Sequence, residues 1–136
     1  MLIAIRKYAN MRKTMPKTRV IQYCEEDGSV QFLHWFASLT AKGQDRCRVR
    51  IERLRELGHE LRRPEADYLR DGIYELRASV SGLHYRILYF FHGSAAVVIS
   101  HGLVKEREVP SREIDRAISR KVGFEKDPEK HTHGEA

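Results

Sequence analysis

Three β-rich runs joined by very short connections limit the fold of this chain more than any other feature. The runs cover residues 72–80, 83–92 and 95–105, and the connections contain Ser81-Gly82 and Gly93-Ser94. Two-residue connections that contain glycine are typical of turns between antiparallel neighbours. The sequence therefore predicts an antiparallel sheet in which these runs are adjacent strands.

Helical patterns flank the predicted sheet on both sides in the sequence. Apolar spacing, capping residues and Gly58 as a C-cap predict a strand at 18–23, helices at about 30–39 and 42–58, a polar connector at 59–71 and a last helix from Pro110-Ser111 to about 122. The order β-α-α-β-β-β-α predicts one α+β domain. Its antiparallel sheet would carry two N-terminal helices packed on one face, together with a C-terminal helix.

Charge divides the 136-residue chain into three parts. Residues 1–17 hold five basic residues and no acid, and we interpret them as a basic N-terminal extension, either a mobile arm that touches RNA or an upstream extension of the reading frame. Residues 123–136 hold four acids and two lysines, and we expect a polar, frayed tail. The predicted domain, 18–122, is therefore only mildly basic although the whole chain has a net charge of +6. The placement of charges must indicate the function, because the total does not.

Several classes of protein do not match the sequence. No apolar run approaches the roughly 20 residues that a membrane-spanning helix needs, and 1–5 is too short for a secretory signal, so we expect a cytoplasmic protein without a membrane partner. Cys24 and Cys47 are predicted to be buried thiols rather than reactive ones. No Cys/His spacing suggests a metal, no cofactor is predicted, and His131 and His133 are not expected to be ligands.

The turns predict which side chains share one face of the sheet. A two-residue loop at Ser81-Gly82 places Arg77 directly opposite Arg86. A two-residue turn at Gly93-Ser94 would place Arg86 opposite His101, and Lys105 would share that face. The predicted row is therefore Arg77–Arg86–His101, with Lys105 extending a cationic floor.

Like charges directly opposite each other destabilise a sheet, so this row points to a ligand. A phosphate between Arg77 and Arg86 would resolve the conflict, because guanidinium groups match its oxygens. Structural alternatives remain open: Arg77 pairs with Asp71 or a helix acid, Arg86 bonds a carbonyl, and His101 is a half-buried histidine. The other face is apolar and suited to covering by helices, and Tyr85, Tyr89 and Phe90 are predicted to be core residues rather than base-stacking platforms.

Three ordered blocks carry a family resemblance. Residues 71–77 (DGIYELR) resemble the "dGlyELR" block of the phage-derived HigB/RelE-like toxins, and 85–90 (YRILYF) resemble their "YRilYf" block. Residues 101–105 (HGLVK), followed by Pro110, are similar to the family's "hgFxKKxxxxP" segment. The resemblance extends over about 18–122 and implies a RelE-like fold.

The resemblance also implies an activity and partners. Such toxins cleave mRNA on the ribosome without a metal, through attack of the 2′-OH on the adjacent phosphate, and are neutralised by a small helix-turn-helix antitoxin that also provides contact with operator DNA. Arg77 and Arg86 would bind the phosphate and its transition state, and Lys105 would be a catalytic or RNA-positioning cation. To these implied residues we add His101 as a general acid or base.

One departure from the family pattern favours an alternative. The family often has two lysines where this chain has Lys105-Glu106. An acid there would weaken RNA binding, unless its side chain points to the helix side while Arg107 supplies the missing charge. The alternative is a catalytically weak or inactive RelE-fold module that acts through an antitoxin/DNA complex. A third reading is an interaction protein that acts through the basic arm, 1–17.

Overall fold

A mixed sheet and three α-helices form the part of the chain that the computed structural model describes, residues 17–105 and 107–136. The elements are β1 (Arg19–Tyr23), α1 (Gln31–Ala37), α2 (Ala41–Leu57), a 3-10 turn (Gly58–Glu60), β2 (Ala66–Arg70), β3 (Ile73–Val80), β4 (Leu83–His92), β5 (Ala96–Lys105), α3 (Ser111–Lys126) and β6 (Thr132–Glu135). The predicted α+β class is confirmed.

The sheet has six strands in the order β2-β3-β4-β5-β1-β6, which is more than the sequence predicted. β2 lies within the predicted polar connector and joins β3 through Asp71 and Gly72, whose φ values of 51° and 82° are those of a hairpin turn. The prediction of a purely antiparallel sheet is wrong, because β1 pairs with β5 in parallel. No tight turn connects β1 to β5, so local turn rules do not determine its direction.

The helices cover both faces of the sheet. α1 and α2 pack on the face that carries Leu76, Tyr85 and Ile87, as predicted. α3 packs on the opposite face, over Leu88 and Phe90. The sequence suggested helix cover only for the other, apolar face, so the packing of α3 on the arginine-bearing face corrects that expectation. Ten-residue strands that are apolar on both sides need a cover on both sides, and α3 covers the Leu88 and Phe90 end of this face while Ser79 and His84 at the other end stay exposed.

The prediction of a frayed tail from Gly123 is also wrong. α3 continues to Lys126 and buries Phe124, and β6 then pairs with β1. The ring of His131 stacks on Tyr23 with centroids 4.8 Å apart, and its Nδ1 lies 2.8 Å from the carbonyl oxygen of Cys24. Backbone hydrogen bonds hold this polar edge strand, and composition does not reveal such bonds. Of the predicted basic extension, residues 1–16 lie outside the described residues, as does Glu106.

Local signals for the end of α2 and for the cysteines agree with the structure. Thr40 caps α2 by accepting a hydrogen bond from the Gly43 amide (3.1 Å), and Gly58, with φ of 52°, ends the helix as predicted. Cys24 and Cys47 are both buried free thiols, and burial raises the pKa of Cys47 to about 11. Across 17–105 and 107–136, no helix combines the length and apolar character that crossing a membrane requires.

Candidate functional site

The hairpin of β3 and β4 brings the two predicted arginines together. Arg77 lies directly opposite Arg86, and Val80 lies opposite Leu83 across the Ser81-Gly82 turn. Positive φ values at both turn residues, 51° and 83°, are those of the predicted two-residue loop. This half of the predicted row is confirmed.

The second half of the row is wrong. His92 pairs with Ala96, so the loop between β4 and β5 has three residues instead of two, and a bulge follows where Leu88 pairs with His101 but Tyr89 pairs with Ile99. Arg86 consequently faces Leu103 instead of His101. The extra loop residue and the bulge each shift the register by one.

These two shifts cancel in their effect on the faces of β5. Between them, Val97 and Ile99 turn to the α1 and α2 side and Val98 turns to the α3 side, opposite to what a two-residue turn at Gly93-Ser94 would give. Beyond the bulge the predicted faces return. Lys105, which pairs with His84, therefore does share the face of Arg86.

A carboxylate lies between the two arginines where the sequence suggested a phosphate. Oε1 of Glu75 accepts a hydrogen bond from Nη2 of Arg77 at 3.1 Å. Oε2 of Glu75 lies 2.9 Å from Nε of Arg86, an ion-pair distance without the alignment of a hydrogen bond. Glu75 thus offsets the repulsion between the arginines. The structure does not show Asp71 or a helix acid, the alternatives from the sequence, as the partner of Arg77.

The two arginines differ in exposure. The side chain of Arg77 is 29% exposed, whereas those of Arg86 and Glu75 are only 8% and 5% exposed. Arg86 donates from Nη1 to the carbonyl oxygen of Tyr85 at 2.8 Å, which was one of the structural alternatives. Burial lowers the pKa of Arg86, while the charge of Glu75 acts in the opposite direction. Arg77 is therefore the guanidinium that a ligand reaches first, and Arg86 lies beside it on β4 with its side chain buried.

Four buried side-chain polar atoms in the described ranges have no hydrogen-bond partner, and three of them belong to this cluster. They are Nε of Arg77, Nε of Arg86 and Oε2 of Glu75. Buried polar groups in proteins are nearly always satisfied, and exceptions concentrate where a structure has a functional reason for them. The cluster is thus an electrostatically unusual part of the fold.

A groove of about 320 Å³ opens beside Arg77. Its charged lining is mixed, since it includes the cations Arg63, Arg70, Arg77 and Lys105 and the acids Asp67, Glu75 and Glu108. Asp67 lies 2.7 Å from Arg63 and 3.3 Å from Arg77, so it shares its charge between them. Burial and then the charge of Arg86 lower the pKa of Lys105, which makes its ammonium a better proton donor.

His101 lies apart from this groove, beneath the first turns of α3. It is 1% exposed, its Nδ1 is 2.7 Å from the hydroxyl of Ser100, and its Nε2 is 3.3 Å from Oε2 of Glu113. Burial lowers its pKa to about 4, and the charge of Arg120 acts in the same direction. The structure therefore does not bring His101 together with Arg77, Arg86 and Lys105.

This buried neutral histidine predicts a loss of stability in acid. Its pKa in the fold is about 4, against 6.5 for a free histidine, so the unfolded chain binds the proton more tightly. The contribution of this group to the free energy of unfolding should be fully present above pH 6.5. It should fall by about 3 kcal/mol as the pH is lowered to 4. Urea unfolding of wild type and His101→Asn at pH 7 and pH 4 measures the difference. His133→Asn, at an exposed histidine, is the control, and equal acid losses in wild type and His101→Asn would contradict the prediction.

The sequence interpretation missed the acids of the site. Glu75 lies two residues before Arg77 and therefore on the same face of β3, which was a usable signal. Asp67 carried no such signal, because its strand was taken for a connector. Arg107, suggested as a replacement for a missing lysine, is exposed in the segment after β5.

Comparison with known families agrees with the position of the site. A family model described as phage-derived protein Gp49-like (DUF891) matches residues 34–122, which is more than half of the chain and includes Arg77, Arg86 and Lys105. No curated protein matches the chain. The chain therefore belongs to the Gp49-like family of phage-derived proteins, which is part of the RelE/HigB-like toxin family and is associated with toxin–antitoxin systems and RNase-type toxins.

Proposed function

We propose that this protein is the toxin of a type II toxin–antitoxin system and that it cleaves mRNA on the ribosome in the cytoplasm. One observation carries the proposal: Arg77, Arg86 and Lys105 share the end of a sheet face that α3 leaves open. Clustered guanidinium and ammonium groups fit the negative charge of an RNA phosphate. The fold that we propose for this toxin is the RelE-like fold.

The chemistry assigned to these residues is cleavage by the RNA itself. The 2′-OH attacks the neighbouring phosphorus, the bond to the 5′ oxygen breaks, and a 2′,3′-cyclic phosphate and a 5′-hydroxyl result. Arg77, the exposed guanidinium, binds the phosphate oxygens, and Arg86 stabilises the charge that develops on them. Lys105, whose pKa is lowered, donates the proton that the leaving 5′ oxygen needs.

His101 has a different role in this proposal from the general acid or base that the sequence suggested. At 1% exposure and bonded to Ser100 and Glu113, it cannot reach the phosphate held by Arg77. Its contact with Glu113 ties α3 to β5 instead. We assign it a structural role.

Gp49-like toxins pair with antitoxins in general. We propose a helix-turn-helix antitoxin that covers the open groove and reaches operator DNA. Mixed charge in the groove suits such a partner, because acids on the antitoxin match Arg77 and Lys105.

A second candidate function follows from the acids of the groove. Glu75 and Asp67 neutralise part of the positive charge around Arg77. A site compensated in this way suits a catalytically weak module that acts only in an antitoxin/DNA complex.

Induced expression separates the two functions. We expect the wild type to stop growth and to leave mRNA fragments with 5′-hydroxyl ends, since the proposed chemistry releases that end. Purified protein that has first been treated with EDTA should produce the same ends in a translating ribosome mixture, because no metal takes part. If a short helix-turn-helix gene adjoins this one, its co-expression should restore growth.

The controls identify which proposal fails. Arg77→Ala and Arg86→Ala should permit growth at equal protein levels. Equal growth of wild type and both variants, without cleaved mRNA, would refute the enzymatic function and favour the binding module. Cleavage of free mRNA as fast as ribosome-bound mRNA would refute only the dependence on ribosomes.

A further inference from the structure

Resting on the proposed function, we propose that His84 is the general base of this site and takes the proton from the attacking 2′-OH. The sequence pointed to His101 for proton transfer, but the structure buries that ring. His84 is the histidine that the sheet register places beside the cations. The inference adds a catalytic residue that neither the motifs nor the resemblance indicated.

The register of two strand pairs defines the position of His84. It pairs with Lys105 on β5 and with Ser79 on β3, so the row Ser79–His84–Lys105 runs next to the row Arg77–Arg86–Leu103. Directly opposite side chains have Cβ atoms about 5 Å apart, and the next residue on the same face lies about 7 Å along a strand. His84 is therefore close enough to act on a nucleotide whose phosphate lies over Arg77 and Lys105.

Exposure distinguishes His84 from His101 and Glu75. His84 is exposed, whereas His101 is 1% exposed and Oε2 of Glu75 is completely covered. The hydroxyl of Ser79 lies 3.5 Å from Nδ1 of His84, so the contact with the sheet involves that nitrogen. We assign the proton exchange to Nε2, the nitrogen at the other side of the ring.

The proposed step balances with the groups of this one face. The 2′ oxygen forms a bond to phosphorus while Nε2 of neutral His84 accepts the 2′ proton, and the bond from phosphorus to the 5′ oxygen breaks. Lys105 gives a proton to that oxygen. Imidazolium and neutral amine then exchange protons with water, which restores both groups. An imidazole suits this task because histidine changes charge near neutral pH.

Single-turnover cleavage of ribosome-bound mRNA by the full-length protein tests the assignment. His84→Gln should lower the rate at saturating toxin about 10²- to 10³-fold, with little change in the concentration needed for half-saturation. The cleavage rate of the wild type should rise with pH on the acidic side of its profile, and this rise should be absent in His84→Gln. The matched control is His34→Gln, at an exposed histidine on α1, which should keep the wild-type rate and pH profile. Wild-type behaviour of His84→Gln would overturn the inference.

A second substrate separates proton acceptance from proton donation. When sulfur replaces the 5′ bridging oxygen, the leaving group needs no proton, so the defect of a Lys105→Met variant should shrink. The defect of His84→Gln should persist, because the 2′-OH still has to lose its proton. Relief of the His84→Gln defect by sulfur would show that His84 donates the proton, which overturns the assignment as a base.

The outcomes also separate this inference from the function on which it rests. If Arg77→Ala is inactive while His84→Gln cleaves like wild type, the proposed function stands and the inference fails. If the wild type cleaves no mRNA on ribosomes, both fail. Circular dichroism of each variant checks that the fold is retained. Because His84 is exposed, its replacement should change stability little, so lost activity would not result from misfolding.

Discussion

Replacing Arg77 by alanine is expected to slow mRNA cleavage by about 10²- to 10³-fold, the usual effect of removing one donor that stabilises charge in a transition state. Arg77 is the exposed member of the pair, and its guanidinium lies at the mouth of the groove with Lys105. Its loss leaves Asp67 paired with Arg63 and Glu75 paired with Arg86, so neither of these two acids loses its last partner. The rate of single-turnover cleavage on ribosomes measures the effect.

Two further variants make this expectation specific. Arg77→Lys keeps the charge but loses the planar fork, so its rate should fall between wild type and Arg77→Ala. Arg46→Ala removes an exposed arginine from α2, away from the groove, and should cleave at the wild-type rate. Equal activity of Arg77→Ala and Arg46→Ala would mean that Arg77 contributes only surface charge and would contradict its assigned role.

Replacing Glu75 by glutamine is expected to lower the free energy of unfolding by about 3–5 kcal/mol, the typical cost of breaking a buried ion pair on one side. Arg86 is 8% exposed and would lose the carboxylate that lies 2.9 Å from its Nε. Glutamine has nearly the same shape, so the loss of charge rather than of volume accounts for the change. Urea denaturation at pH 7 measures it.

A matched control and a double variant test the explanation. Glu52→Gln removes a carboxylate that pairs with Arg55 at the surface, and exposed pairs of this kind contribute at most about 1 kcal/mol. Glu75→Gln combined with Arg86→Met removes both buried charges and should recover part of the lost stability. A loss below about 1 kcal/mol for Glu75→Gln alone would contradict the view that Glu75 is the internal counterion of the site.

Glu75 also changes the meaning of the paired arginines. Two arginines opposite each other on a sheet suggested that a phosphate must lie between them. The structure shows that the carboxylate of Glu75, on β3, already lies between them, 3.1 Å from Arg77 and 2.9 Å from Arg86. The pair thus needs no ligand for stability, and the exposed side of Arg77 is what remains for binding.

Sequence alone determined the parts of the fold that local rules control. The Ser81-Gly82 turn requires two residues of positive φ, and that requirement placed Arg77 opposite Arg86. Gly58 ends α2 because a C-cap depends on only a few neighbouring residues. Apolar alternation likewise indicated which face α1 and α2 would cover.

Tertiary structure alone decided where the histidines lie. One extra loop residue and one bulge in β5 moved His101 opposite Leu88 and under α3, while the same two shifts placed His84 opposite Lys105. The turn motif Gly93-Ser94 does not encode loop length, because Ala95, the third loop residue, is the same residue type as Ala96, with which β5 begins. A bulge likewise has no signal in alternation when both faces of a strand are apolar.

Distant contacts decided the rest. β6 joined the sheet through backbone hydrogen bonds to β1, to which the order of residues in a polar tail gives no clue, and no turn indicated that β1 would pair with β5 in parallel. Glu75 lies between the arginines because side-chain packing closed the space around it, which is a consequence of the assembled sheet. Short-range chemistry thus predicted the pair of arginines, and only long-range packing showed that the pair is compensated and that a different histidine stands beside it.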